Sequence, residues 1–191
     1  MPRPFTFSLL DGFSLLELLM VMVLLSILIA MAAPDLQSAL TRSEGEVALR
    51  NLSSQLSSAR SAAIEHGVTV TLCPSSDGSA CSGTWSSGSI VFTDRNGDRN
   101  INTEDQLIRV SLTELNGHIQ WRAFQNRQYL QIDAIGWMRY QSGNFTYCPA
   151  NGDPYQARQL VVNSTGRTRL AQDTDGDGLR EDANGQPLHC D

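Results

Sequence analysis

The stretch Gly12-Phe13-Ser14-Leu15-Leu16-Glu17 decides how this chain is read. It joins a short leader, residues 1–12, to an apolar run from Phe13 to Ala33 that carries one charge, Glu17. The run is about 21 residues, which at ~1.5 Å per helical residue just spans a bilayer core. A carboxylate entering lipid costs at least about 2.5 kcal/mol, so an ionisable residue there is functional by default. Three readings compete. A cleaved secretory signal would have a shorter apolar core; Ala30–Ala33 imitates its cut, but at the far end of a long run. A plain anchor explains the length but not Glu17. The third is a leader cut on the N-terminal side of the run, which then stays on the protein.

Past Ala33 the pattern changes. Pro34 should kink the helix or free a carbonyl. From Asp35 to His66 the chain reads as amphipathic, with Leu36, Leu40, Val47, Leu52, Leu56, Ala59 and Ala63 on one face. Arg42, Glu44, Glu46, Arg50 and Arg60 fall mostly elsewhere, Gly45 is a weak point, and Gly67 is the expected C-cap. One long helix is predicted over Phe13–His66, on the order of 80 Å at the standard rise. Its first half is apolar all round, and its second half has one face to lay on a sheet.

From Val68 onward the signals are β: Val68–Cys73, Ser89–Thr93, Gln106–Ser111, His118–Ala123, Tyr129–Asp133, Asn144–Cys148, Gln159–Asn163 and a short Thr168–Ala171, separated by Gly, Asn, Asp and Pro clusters. A helix followed by a β-rich region makes an α+β fold. The divisions expected are a leader (1–12), a membrane helix half (13–33), an amphipathic half (34–67) and a β-rich globular domain with an acidic tail (68–191).

With 191 residues there is enough chain for one domain with a real core plus a stalk. The net charge of −6 argues against a general nucleic-acid binder but leaves room for a local basic patch. Every Lys/Arg position is Arg. Cys73, Cys81, Cys148 and Cys190 all follow the apolar run, and an even count in an exported domain suggests two disulfides. Three pairings exist. We prefer Cys73–Cys81, closing a short Ser/Asp/Gly loop, with Cys148–Cys190, which would hold an acidic tail that otherwise frays. A zinc site is the weaker rival, since no Cys-x-x-Cys occurs.

The segment Gly12 to Glu17 resembles the prepilin motif of type IV pilin-like proteins: a Gly, an aromatic, a short stretch and a Glu at the fifth mature position. Asp11 departs from the basic residue usual before the Gly. The resemblance implies cleavage after Gly12 and N-methylation of Phe13 by a prepilin peptidase. It implies a type IV pilin-like fold, the long helix packed on an antiparallel β-rich domain. It also implies a pairing of Glu17 with the Phe13 ammonium of a neighbouring subunit; the bland alternative is an acid with no specific partner. Thr71-Leu72-Cys73-Pro74-Ser75-Ser76-Asp77-Gly78, then Cys81, Trp85 and Ile90-Val91-Phe92-Thr93-Asp94, are similar to the GspH/FimT branch. Ala59-Arg60-Ser61-Ala62-Ala63-Ile64 is similar to its helix-end pattern, with Ala62 in place of the usual acid.

That branch implies a minor pilin of the type IV pilus, of the FimT/FimU type, at or near the tip and helping to prime assembly. Its implied partners are the major and other minor pilins, the prepilin peptidase and an inner-membrane assembly platform. The implied location is the inner membrane, single-pass with a periplasmic domain, and then the surface filament. No cofactor is required. A minor pseudopilin of type II secretion is the rival within the superfamily. Gly166-Arg167-Thr168-Arg169 resembles the Gly-Arg-x-Arg element of FimT-like proteins that bind DNA during uptake. On a strand Arg167 and Arg169 share a face and could grip adjacent phosphates of duplex DNA, with Arg158 joining them. A turn with ordinary surface arginines explains them too.

Two acidic loops have calcium-like spacing. Asp173, Asp175 and Asp177 occupy positions one, three and five, Gly178 position six, and the Leu179 carbonyl position seven, with Glu181 or Asp182 to complete a Ca²⁺ shell. Position twelve is Asn184, so the bidentate acid is missing there. The second loop, Asp94, Asn96, Asp98, Asn100 and Asp105, lacks Gly at six. His66, His118 and His189 stand in unrelated contexts, and no catalytic constellation appears, so the chain is not read as an enzyme.

Overall fold

A computed structural model describes residues 13–138 and 141–190, apart from the side chains at 32–35, 37 and 124. The element order is one long helix, α1 (Leu15–His66), then β1 (Val70–Pro74), β2 (Gly88–Thr93), β3 (Leu107–Leu112), β4 (His118–Ala123), β5 (Leu130–Ile132), β6 (Gly143–Cys148), β7 (Arg158–Val162) and β8 (Thr168–Leu170). Short 3-10 turns occupy Phe124–Asn126 and Pro154–Gln156. The strands fall where alternation and turn residues placed them, with ends shifted by at most two residues and β4 matching at both ends. This is the α+β architecture expected. The chain forms two compact units, one ending at Ala39 and one running from Leu40 to Asp191, and α1 contributes to both.

In the first unit the helix starts at a defined point. The Ser14 hydroxyl accepts from Leu16 N at 3.3 Å, and the Ser14 carbonyl accepts the first helical bond from Leu18 N at 3.1 Å. Ser14 is therefore the N-cap, which satisfies one of the N–H groups a helix start leaves open. The helical assignment continues through position 34, in keeping with the single helix expected over Phe13–His66.

The second unit is two antiparallel sheets on the C-terminal part of α1. Their strand orders are β3-β2-β1-β5 and β4-β6-β7-β8. From α1, Ala48, Leu49, Leu52, Leu56, Ala59 and Ala63 enter one core with Val70, Leu72 and Val91 of the first sheet and Trp121, Phe145, Tyr147 and Leu160 of the second. The steps of three and four between those helix residues keep them on one stripe. The phase differs from the sequence reading at its start: Val47 and Leu40 are exposed, and Ala48 and Leu49 are buried instead. Polar links fix the helix on both sheets. Ser89 donates to Gln55 Oε1 at 2.8 Å, both buried, Arg109 donates to Asn51 and Ser54, and Ser53 meets Thr168 at 2.7 Å.

Strands β1 and β2 are buried on both faces, not one. Their second face carries Cys73, Ile90 and Phe92 under Ile101 and Tyr129. The 94–105 loop supplies Ile101, and Asp94 holds it down: its Oδ2 accepts from Thr71 Oγ1 (2.6 Å), Gln131 Nε2 (2.9 Å) and Arg99 N (3.2 Å).

Gly45 has a packing role that helix propensity hides. It is buried, and a Cβ there would stand 2.4 Å from Tyr147 Cδ1. A Cβ at Gly117 would stand 2.8 Å from the same ring. Tyr147 is fully buried between these two backbones. Burial pushes its phenol up to about 12, and the neighbouring Glu44 charge adds to that. Glu44 itself accepts from Asn116 N and Nδ2, and the Tyr147 hydroxyl has no hydrogen-bond partner of acceptable geometry among the described residues.

Candidate functional site

Phe13 is 83% exposed and Glu17 lies exposed in the first turn of α1. A carboxylate there faces the positive end of the helix dipole. From Leu15 to Met31 the large apolar side chains are all exposed. An apolar helix with no polar face needs lipid or other helices around it. Among the described residues no helix is long and apolar enough to cross a membrane. Gly12, where cleavage was expected, lies outside the described residues.

Cysteine chemistry ties the second unit at two places. Cys73 is joined to Cys81 and Cys148 to Cys190, each with Cα atoms 5.5 Å apart. The small loop is further held by Asp77, whose Oδ1 accepts from Ser79 N, Ala80 N and Ser75 Oγ. Those donors hold the Asp77 carboxyl down at about 2. The second bridge fixes the tail, which also buries Leu188 against Ala157 and Ala171.

Arg167 and Arg169 are exposed on either side of the half-buried Thr168 that meets Ser53. The turn before them is shaped by Asn163 Oδ1, which accepts from Thr165 N, Thr165 Oγ1 and Arg167 N, and by Gly166 at φ +73°. Arg158 does not join this pair. It is 7% exposed, and its Nη1 donates to the Tyr155 and Ala157 carbonyls. Burial, with Arg180 and Arg42 nearby, lowers its pKa from the usual guanidinium value. The sequence reading erred there because alternation along β7 does not say which face is covered. Arg60, which the sequence reading did not connect with this motif, does approach it: a Cβ on Gly166 would lie 3.7 Å from Arg60 Cδ. The two are distant in sequence, so no local pattern signals it.

The acidic tail loop brings Asp173, Asp175, Asp177 and Glu181 together, each offering an oxygen within 4.8 Å of the others. Asp182 instead shapes the next turn, where its Oδ1 accepts from Asn184 N and Gln186 N, and those bonds lower its pKa. The Leu179 N–H donates to Asp177 Oδ1 at 2.7 Å. In the 94–105 loop the carboxylates serve the loop itself. Asp98 accepts from Asn100 N and Asp105 from Arg95 N and Asn102 N, while Arg99 takes φ +66° at position six.

The family model of type II transport protein GspH matches residues 48–166, and the prokaryotic N-terminal methylation motif matches residues 11–33. A crystal structure of the Pseudomonas aeruginosa (strain PAO1) type IV minor pilin FimU, in space group P21, is similar in fold: TM-score 0.51, 18% identity, covering 69% of this chain and 90% of that one. The same minor pilin in space group P65 gives TM-score 0.48 and 18% identity over 66% of this chain and 92% of that one. No curated protein matches.

Proposed function

This chain belongs to the family of type II transport protein GspH, and on that premise we propose that it is a minor pilin of the type IV pilus. It is a structural subunit, not an enzyme. One observation carries the reading: an N-terminal methylation motif opens a helix that is exposed and apolar from Leu15 to Met31, with Phe13 and Glu17 at its tip. Such a surface is stable in lipid and equally stable among other pilin helices, so transfer from one to the other need not expose it to water. In this proposal a peptidase cuts after Gly12 and methylates Phe13. The chain then waits as a single-pass inner-membrane protein with its second unit in the periplasm. An assembly platform draws it into the filament at or near the tip, where it primes assembly with other minor pilins. Glu17 sets its height by pairing with the Phe13 ammonium of a neighbour, a charge-assisted contact in an apolar setting.

The test is complementation of a deletion strain. Loss of the chain should reduce surface pili. Glu17→Ala should leave the protein in the membrane and fail to restore them. Normal piliation by Glu17→Ala would overturn the pairing. Loss of protein secretion with unchanged pili would favour a type II pseudopilin, the role for which the family is named.

The exposed Arg167 and Arg169 support a second reading, a duplex-DNA contact at the pilus tip. Two phosphate contacts predict a salt slope near −1.8, so raising salt fourfold should weaken binding about tenfold. Arg167→Gln with Arg169→Gln should remove that binding in a fluorescence titration with duplex DNA. Unchanged affinity would reject the reading.

A further inference from the structure

Glu181, like Asp94 and Arg158, is a buried charged side chain with an atom that has no hydrogen-bond partner among the described residues, and of these it alone stands in a cluster of other acids. Its side chain is 8% exposed, and its Oε2 accepts from Thr174 N and Thr174 Oγ1, each at 2.7 Å. Its Oε1 is buried with no hydrogen-bond partner among the described residues. A buried carboxylate oxygen with no donor is costly, and native proteins supply one with a donor, a water or a cation. Asp173, Asp175, Asp177 and Glu181 can each offer one carboxylate oxygen within 4.8 Å of the others. Four like charges in that space repel unless a cation sits among them. The adjacent Arg180 donates through Nη1 to the Ala171 carbonyl at 2.8 Å.

We propose that Asp173, Asp175, Asp177 and Glu181 form a Ca²⁺ site that fastens the C-terminal tail. The donors are all hard oxygens and most are anionic, which suits Ca²⁺ and disfavours zinc. Their loop positions are one, three, five and nine. Gly176 and Gly178 take φ +83° and +90°, which lets the loop turn tightly around the acids. In place of the bidentate acid missing at position twelve, Glu181 brings a buried carboxylate from position nine. That segment is held by the isolated Glu181–Pro187 bridge and by Leu188 N donating to the Arg180 carbonyl at 2.8 Å. The ion would thus join the start of the tail to a segment already anchored by Leu188 and by the Cys148–Cys190 bridge. This proposal is independent of the filament role and is read on the purified protein.

The experiment is calorimetry on the full chain in detergent, stripped with chelator and titrated with CaCl₂. A saturable one-site heat is expected, with Kd in the range of about 10⁻⁴–10⁻³ M typical of extracellular sites. At ten times Kd the folding equilibrium should shift about elevenfold toward the native state. Asp175→Ala and Glu181→Gln should each weaken Ca²⁺ binding at least about tenfold, the loss that even the outer-shell partners of a metal site bring. Asp182→Asn should leave it unchanged. If Glu181→Gln does not fold, the exposed Asp175→Ala still decides. No saturable heat, or full binding by Asp175→Ala, would overturn the proposal, and equal binding of MgCl₂ would overturn the choice of Ca²⁺.

Discussion

Converting Cys148 and Cys190 together to serine should cost this protein about 4 kcal/mol of stability. The bridge spans a sequence separation of 42, and chain-entropy arithmetic gives about 4 kcal/mol for a loop of that size. The same arithmetic gives only about 2.5 kcal/mol for Cys73–Cys81, at a separation of 8. Against a typical total of about 5–15 kcal/mol, the larger loss is severe. It should also be spatially defined. Leu188 packed on Ala157 and Ala171, and Arg180 Nη1 donating to the Ala171 carbonyl, also hold the tail, and neither resists fraying alone. Hydrogen exchange in the double-serine variant should therefore rise first over residues 172–190. Denaturant unfolding gives the magnitude. A loss below about 1 kcal/mol would show that the tail's apolar contacts suffice, contrary to this account.

Gly45→Ala should destabilise by about 1–3 kcal/mol, the range for overpacking a tight core. Propensity alone predicts the reverse, a gain of up to about 1 kcal/mol for replacing a helical glycine. The sign is decided by the new methyl, which would stand 2.4 Å from Tyr147 Cδ1 on a ring whose other edge lies against Gly117, where a Cβ would be 2.8 Å away. Tyr147→Leu in the same chain should recover part of the loss, and a double-mutant cycle measures the coupling. A more stable Gly45→Ala protein would show that the ring yields.

Much of the fold was legible because its signals are local. A charged residue inside an apolar run, a three-to-four period up to His66 and turn residues between alternating stretches need no tertiary information. Where the sequence reading slipped, the missing facts were contacts across the fold. Val47 and Leu49 both fit an apolar period, and only the sheets beneath the helix selected Leu49. Arg158 and Arg169 are both arginines on strands, yet one is covered and the other is not. Glu181 and Asp182 were equal candidates for one metal shell, until the turn at Asn184 and Gln186 claimed Asp182.

By itself, then, the sequence determined the kind of protein this is. The Gly12–Glu17 motif and the apolar run after it define an N-terminal methylation signal on a helix, and strand alternation sets a β-rich unit behind it, because both rest on short-range chemistry and periodicity. Tertiary structure decided what individual residues do. Gly45 became the seat of a buried tyrosine, Arg60 a neighbour of the Gly166 turn, and Glu181 a buried acid facing three others. Those roles depend on which backbones approach one another, and burial and distance between remote segments are set only when the sheets close on the helix.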